Sequence, residues 1–416
     1  MNINSMLNLG TLGSVSDGKS EMIYQLSGIR TQRDSRERKR NITIKAGYAN
    51  IKLWKCLTCN NEFSSCEQKN EYECIECNTS CKQTNHISFT DCPGHQELID
   101  TMLTSISLMK GAIIIISVVE SIKQKPQLIQ HLIASKVSKL DKVIICLNKC
   151  DLVTIEIVKE RKKELDQLLK ILEINPLIII PTSFTQRLGI DNLIKAINLY
   201  FKDIELTNQS LNTLFRITRS FDINQPGTNY EEIKGGCIGG SLISGNLNIN
   251  DIVQIKPGIL TREKNGKYSH QPIETRLLSF ESDKTKIDSV KPGGLVGILT
   301  ELDPYYCKND LLKGNIITKI NESINVYNDI KVNFKKITEF ELMTYNKSSN
   351  DWNPKPGDKI YIYVSNMTTE ARVTKIKNDI MEIQLIKPIC IEDDSQILIT
   401  IKQPILNIVA CAKMIN

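Results

Sequence analysis

Along its first half the chain alternates short, unbroken apolar runs with longer stretches that are apolar on one side only. The runs are Met6–Leu9, His86–Thr90, Ala112–Val118, Lys142–Leu147 and Leu177–Ile180, each bounded by Gly, Pro, Asn or Asp. Such runs predict strands covered on both faces. Between two of them, Ile157, Leu165, Leu168, Leu169 and Leu172 recur near a 3.6-residue period and predict an amphipathic helix over Glu156–Ile174. Strand alternating with helix across residues 1–204 predicts an α/β domain, a mainly parallel sheet with helices on both faces. Ligands then bind at the carboxyl ends of the strands.

Beyond Asp203–Leu211 the period changes to two. Phe215–Ser220, Ile252–Lys256, Val296–Leu299, Lys359–Val364 and Ile380–Leu385 alternate in this way, separated by turns rich in Gly, Pro and Asn. Two all-β barrel domains are predicted, near 211–320 and 324–416. Lys256-Pro-Gly and Lys291-Pro-Gly-Gly294 read as tight turns, and Asn224–Ile233 as a longer loop.

Composition adds limits. At 416 residues, 41% hydrophobic and 24% charged, the chain is expected to be soluble and built of several cores. Met1–Gly10 lacks a basic segment leading into an apolar one, and no apolar run approaches the roughly 20 residues that span a bilayer. A cytoplasmic protein without a membrane partner is expected. The net charge of +6 permits an acidic partner such as RNA without requiring one. Thirteen cysteines in the cytosol would stay reduced, so clustered ones are read as metal ligands.

Candidate chemistry sits where the runs end. Gly13-Ser-Val-Ser-Asp17-Gly18-Lys19-Ser20 follows the first run and opens a helix. This spacing lets backbone N–H groups of the loop wrap phosphate oxygens, so that Gly13, Asp17 and Gly18 are read as nucleotide-binding residues, with Lys19 on the β- and γ-phosphates and the Ser20 hydroxyl on Mg²⁺. Asp91 ends the next core run and can hold Mg²⁺ through water, while Gly94 lets an amide approach the γ-phosphate. Asn148-Lys149-Cys150-Asp151 ends a further strand. The Asp151 carboxylate can accept from both N1–H and N2–H₂ of guanine, whereas adenine would leave it unpaired. Asn148 would support the base and the Lys149 stem would pack on its face. Ser183, in Thr182-Ser183-Phe184, could touch guanine O6. The nucleotide is read as GTP, or GDP after hydrolysis.

Together these motifs, with Asp91-Cys92-Pro93-Gly94-His95, resemble the translational GTPases of the elongation factor Tu group. Within that group, Glu37-Arg-Lys-Arg-Asn-Ile-Thr43-Ile-Lys-Ala-Gly47-Tyr48-Ala49 resembles the first switch of the gamma subunit of eukaryotic and archaeal translation initiation factor two. The likeness covers essentially the whole chain. It implies that Thr43 reaches Mg²⁺ in the GTP state, that His95 orients the attacking water, and that hydrolysis releases both segments. It also places a cysteine knuckle at about 55–82, where Cys56, Cys59, Cys74 and Cys77 form two C-x-x-C pairs. Four thiolates suit a closed, structural Zn²⁺ site, and the metal would supply the fold of an insert with few apolar residues. Cys66 and Cys81 could substitute as ligands or merely sit nearby.

Arg219–Gly227, Lys234–Gly240 and Lys291–Gly297 resemble the second domain of that subunit. The implied partners are methionylated initiator tRNA, alpha and beta subunits completing a heterotrimer, the small ribosomal subunit, a GTPase-activating protein and a nucleotide-exchange factor. An elongation-type carrier of aminoacyl-tRNA and a non-hydrolysing scaffold switched by GTP are the alternatives. Ser14, Asp17 and Phe184 depart from the usual loop residues without removing a phosphate or Mg²⁺ ligand. At the carboxyl end, Ile401–Asn407 and Ala410–Met414 replace the relatives' arginine and aromatic residues, so no tRNA-binding residue is assigned.

Overall fold

Among the described residues the strands assemble into an open sheet, two closed rings and a short ribbon that pairs Leu247–Asn248 with Ser289–Val290. The computed structural model describes residues 7–31, 46–65, 71–94, 99–122, 125–140, 142–201, 212–264, 266–283, 285–322, 324–337, 352–392, 395–402 and 406–415. Thr43, Cys66 and His95 lie outside them. These residues fall into two compact units, one within 6–205 and one within 206–337 and 350–416.

In the first unit, β1 (Leu7–Leu12), β2 (Gly47–Cys56), β3 (Glu62–Ser65), β4 (Tyr72–Glu73), β5 (Ser80–Asp91), β6 (Gly111–Ser117), β7 (Val143–Asn148) and β8 (Ile178–Pro181) form one sheet in the order β3-β2-β5-β1-β6-β7-β8, with β4 paired to β5. From β5 through β1, β6 and β7 to β8 every pairing is parallel. Helices α1 (Lys19–Ser27), α2 (Ile99–Ile106), α3 (Pro126–Val137) and α4 (Ile155–Ile171) lie between successive strands of the sheet, and α5 (Ile190–Phe201) follows β8. Ala112, Ile113, Ile114, Ile115 and Ile116 in β6 are all fully buried, as a central parallel strand requires. The helix expected over Glu156–Ile174 is α4, which buries Leu165 and Leu169. Helix α1 stops at Gly28, whose left-handed φ of 67° lets its amide cap Tyr24 O.

The cysteine insert is the end of a long hairpin. β2 and β5 pair antiparallel from Gly47 opposite Asp91 to Cys56 opposite Cys81. Thr84 is an unpaired bulge between the Leu53–Asn85 and Trp54–Gln83 pairs, and burial along β2 changes phase there, from Ile51 and Leu53 to Trp54 and Cys56. The hairpin also buries more than its sequence promised: the Trp54 ring stacks on Tyr72 at 5.7 Å, with Phe63 beside Tyr72 at 6.5 Å.

The second unit holds both rings. One runs Ile252–Arg262, Ile316–Lys319, Leu214–Phe221, Cys237–Ser244, Leu295–Thr300, Tyr268–Ser282 and back to the first. The other runs Val326–Lys336, Ile380–Cys390, Met367–Lys377, Lys359–Val364, Ile397–Lys402 and Leu406–Met414. Each closes around its own apolar core, which removes exposed strand edges. Lys256-Pro-Gly is not a turn between strands. It is a bulge inside Ile252–Arg262, between the Ile255–Ile273 and Ile259–Gln271 pairs, where proline's missing N–H costs no ladder bond. The rings are joined by Arg216, whose guanidinium donates to both oxygens of Glu392 at 2.7 and 2.9 Å, and by Asn366 Nδ2, which donates to Ile217 O at 2.8 Å.

Candidate nucleotide site and cysteine cluster

Five strand ends of the first unit, Leu12, Asp91, Ser117, Asn148 and Pro181, carry the loops that converge around residues 13–18. This is where an open parallel sheet presents its ligand crevice. Gly18 begins α1 with φ 104°, and a Cβ there would collide with Asn148 Nδ2. Only glycine serves at that position.

Lys19 is buried and donates from Nζ to Gly13 O at 3.0 Å and Ser14 O at 2.7 Å. Burial lowers its pKa, opposed by the carboxylates of Asp91 and Asp17. Asp91, wholly buried, accepts from Ser20 Oγ at 2.7 Å, Thr31 Oγ1 at 2.5 Å and Thr11 Oγ1 at 3.1 Å. Gly94 packs on the loop so closely that a Cβ would strike Lys19 Nζ and the Ser14–Val15 backbone. On the opposite side, Asn148 donates from Nδ2 to Asp17 O at 2.8 Å and accepts from Phe184 N at 3.1 Å. The turn that follows is zipped to the Thr182–Phe184 loop by Cys150 N donating to Thr182 O at 3.1 Å. Lys149 takes a left-handed φ of 65°, Asp151 is exposed on the 3₁₀ turn Cys150–Leu152, and buried Ser183 lies 3.4 Å, Oγ to Oγ1, from Thr185.

Thus Gly13, Asp17, Gly18, Lys19, Ser20, Asp91, Gly94 and Asn148 are brought together. Lys149, Asp151 and Ser183 lie on the two joined loops beside them. Sequence reasoning missed Thr11, Thr31, Lys125 and His131. Lys125 donates to Asp17 Oδ1 at 2.6 Å, a buried ion pair, and His131 Nδ1 accepts from Gly13 N at 2.9 Å. His131 belongs to none of the motifs read from the sequence. Its neighbours in space are residues far away along the chain.

At the other end of β5 the sulfurs of Cys56, Cys59, Cys74 and Cys77 lie within 4.8 Å of one another. Sγ–Sγ separations are 3.4 Å for Cys56–Cys77, 3.5 Å for Cys59–Cys74 and 3.8 Å for Cys59–Cys77. Four sulfurs about 2.3 Å from a tetrahedral Zn²⁺ would stand about 3.8 Å apart. The amides of Thr58 and Cys59 point at Cys56 Sγ at 3.3 and 3.4 Å, and the Thr79 hydroxyl lies 3.2 Å from Cys56 Sγ and 3.0 Å from Cys77 Sγ. The Thr79 hydroxyl, with those amides, pulls the Cys56 thiol down to about 5. Cys81 is outside the four, and burial together with Cys56 and Cys74 pushes its thiol up to about 11.

The Elongation factor Tu GTP binding domain family matches residues 4–203, and the family described as Initiation factor eIF2 gamma, C terminal, matches residues 328–403. Translation initiation factor 2 subunit gamma of Sulfurisphaera tokodaii is 34% identical over 93% of this chain and 92% of its own. The Schizosaccharomyces pombe eukaryotic translation initiation factor 2 subunit gamma is 33% identical over 93% and 88%. In fold the chain is similar to elongation factor SelB of Methanococcus maripaludis bound to a GTP analogue, with a TM-score of 0.70 at 18% identity over 99% of this chain and 80% of that one. A bacterial selenocysteine-specific elongation factor gives 0.73 at 21% identity, and this chain spans 58% of that longer one.

Proposed function

This chain belongs to the gamma-subunit family of translation initiation factor 2 and is a translational GTPase, and from that premise we propose that it carries methionylated initiator tRNA to the small ribosomal subunit and releases it when GTP is hydrolysed. The observation that carries this reading is the 34% identity that extends over 93% of the chain, far past the nucleotide-binding part shared with elongation factors. Alpha and beta subunits would complete a heterotrimer, with an activating protein and an exchange factor setting the cycle. The functional parts are residues 1–204 for GTP, with the knuckle at 55–82, and the barrels at 211–320 and 324–416.

In this reading the loop amides from Asp17 and Gly18 onward hold phosphate oxygens, and the Lys19 ammonium neutralises the β- and γ-phosphates. Ser20, Thr43 and Asp91 would hold Mg²⁺ through hard oxygen donors, and the ion would supply positive charge against the negative charge that develops on the phosphates. The hydroxyl and carboxylate already meet in the structure, at 2.7 Å. Gly94 brings its amide to the γ-phosphate, and His95 orients the attacking water. Asp151 reads the guanine edge, with Asn148, Lys149 and Ser183 closing the base pocket. Cys56, Cys59, Cys74 and Cys77 hold a structural Zn²⁺, a role their separations and four-thiol chemistry fit.

The test is binding of charged initiator tRNA, beside charged elongator Met-tRNA, to the chain with its alpha partner under GTP and under GDP. Preference for the initiator species under GTP is expected. Equal binding of both, or binding indifferent to nucleotide, would remove the carrier role. For His95, the expected result is that His95→Ala loses partner-stimulated hydrolysis while still binding GTP.

A further inference from the structure

A loop that cradles phosphate needs its successive N–H groups to converge on one concavity. The first two amides of this loop point elsewhere. Here both are occupied inward. Gly13 N donates to His131 Nδ1 at 2.9 Å, and Ser14 N donates to Asp17 Oδ2 at 2.8 Å. The second arrangement has its own support: Asp17 Oδ1 accepts from Ser117 N at 3.1 Å and from Lys125 Nζ at 2.6 Å, and the same ammonium donates to Ser117 O at 3.1 Å. All the side chains involved are buried. Lys125 directly precedes Pro126, the first residue of α3, and His131 stands within that helix.

His131 is a costly residue for packing alone. It is fully buried, and because Nδ1 accepts, the proton sits on Nε2, which has no hydrogen-bond partner among the described residues. Burial, and then the Lys19 charge, push this imidazole down to about 3, so it stays neutral and keeps its acceptor. A leucine would fill the same helix face without stranding an N–H. What the imidazole adds is the lone pair facing Gly13.

We propose that His131 and Lys125 are positioning residues for nucleotide binding: without touching the ligand they turn the first two amides of the loop inward, so that the later ones converge on the phosphates. This rests on reading residues 13–20 as the phosphate cradle. It also makes α3 the element whose seating sets how tightly nucleotide is held.

The experiment is release of a fluorescent GDP analogue from the full chain, followed by stopped flow after adding excess GDP, for the parent, His131→Leu, His131→Asn and Lys125→Met. His131→Leu strands the Gly13 amide and should speed release about tenfold or more. His131→Asn presents Oδ1 near the place of Nδ1 and should stay within about twofold of the parent. Preference for guanine over xanthine nucleotides should not move in either, since the base pocket is untouched. Lys125→Met should speed release about tenfold, and it carries the test with His131→Asn if His131→Leu does not fold. Parent-like release in His131→Leu, or equal acceleration in His131→Leu and His131→Asn, overturns the proposal. With Lys125→Met as the only removing variant, parent-like release there overturns it too. A parent chain that held GDP no better than ADP would instead remove the nucleotide reading itself.

Discussion

The two sites of the first unit sit at opposite ends of one strand, β5, and are built by opposite means. At the Asp91 end, hydroxyls, amides and ammonium groups are paired with carboxylates and carbonyls of the protein itself, inside an apolar core that includes Leu9, Met22, Ile113 and Phe184. At the Cys81 end, beyond the Trp54–Tyr72 stack, Leu57 and Ile75 are exposed and four soft donors face one another. The first site owes its shape to packing. The second rests on short turns, with Cys56 N donating to Asn61 O and Cys74 N to Thr79 O at 2.8 Å each, and leaves its four thiols facing one another.

By that contrast, the largest effect comes from removing a sulfur. Cys74→Ser should take the chain from about one Zn per molecule to none, lowering metal affinity by several orders of magnitude, while leaving GTP bound; elemental analysis beside nucleotide titration would show both, and loss of GTP binding would mean the ends are not independent. Next in size is Asp151→Asn, which should shift preference from GTP towards xanthosine triphosphate by several hundredfold in competition binding with the metal content intact. Retained GTP preference would remove Asp151 from base reading.

A smaller effect probes where packing stops. Asn198 in α5 accepts from Thr84 Oγ1 at 2.9 Å and Asn85 Nδ2 at 3.2 Å and donates to Glu62 at 2.9 Å, so it ties the hairpin to the helical layer. Asn198→Leu should cost about 2 kcal/mol of stability in denaturant melts. No loss would mean that the hairpin depends on metal further down than its buried residues suggest. Smallest of all should be Cys81→Ser: metal stoichiometry unchanged, since that sulfur lies outside the four.

The same contrast explains what could be read in advance. The phosphate loop, Asp91 and the Asn148–Asp151 run were legible because their chemistry needs fixed residues at short spacing after a strand. Lys125 and His131 were not, because their partners lie 108 and 118 residues away in the chain. Nor does α3 help, for Leu128 to Ser135 are buried without a break and no period singles out the histidine. The two barrels were legible as strands with a period of two, but the bulge at Lys256-Pro-Gly was not, since proline and glycine mark a bulge and a turn alike. In the hairpin the phase change from Leu53 to Trp54 was present in the residues, yet only the pairing with Thr84 left out gives it meaning.

That bulge makes the hairpin a counting device. Side chains of a strand alternate, so an odd number of residues added to or removed from one side exchanges its faces. Thr84 is one such residue, already built in. Deleting it would restore an unbroken ladder and, by the same step, turn Trp54 and the cluster's first sulfur away from their present partners. Across this family, insertions and deletions between the knuckle and the bulge should therefore be tolerated in matched or even numbers, and a single-residue change should be found only where a second bulge has moved to cancel it.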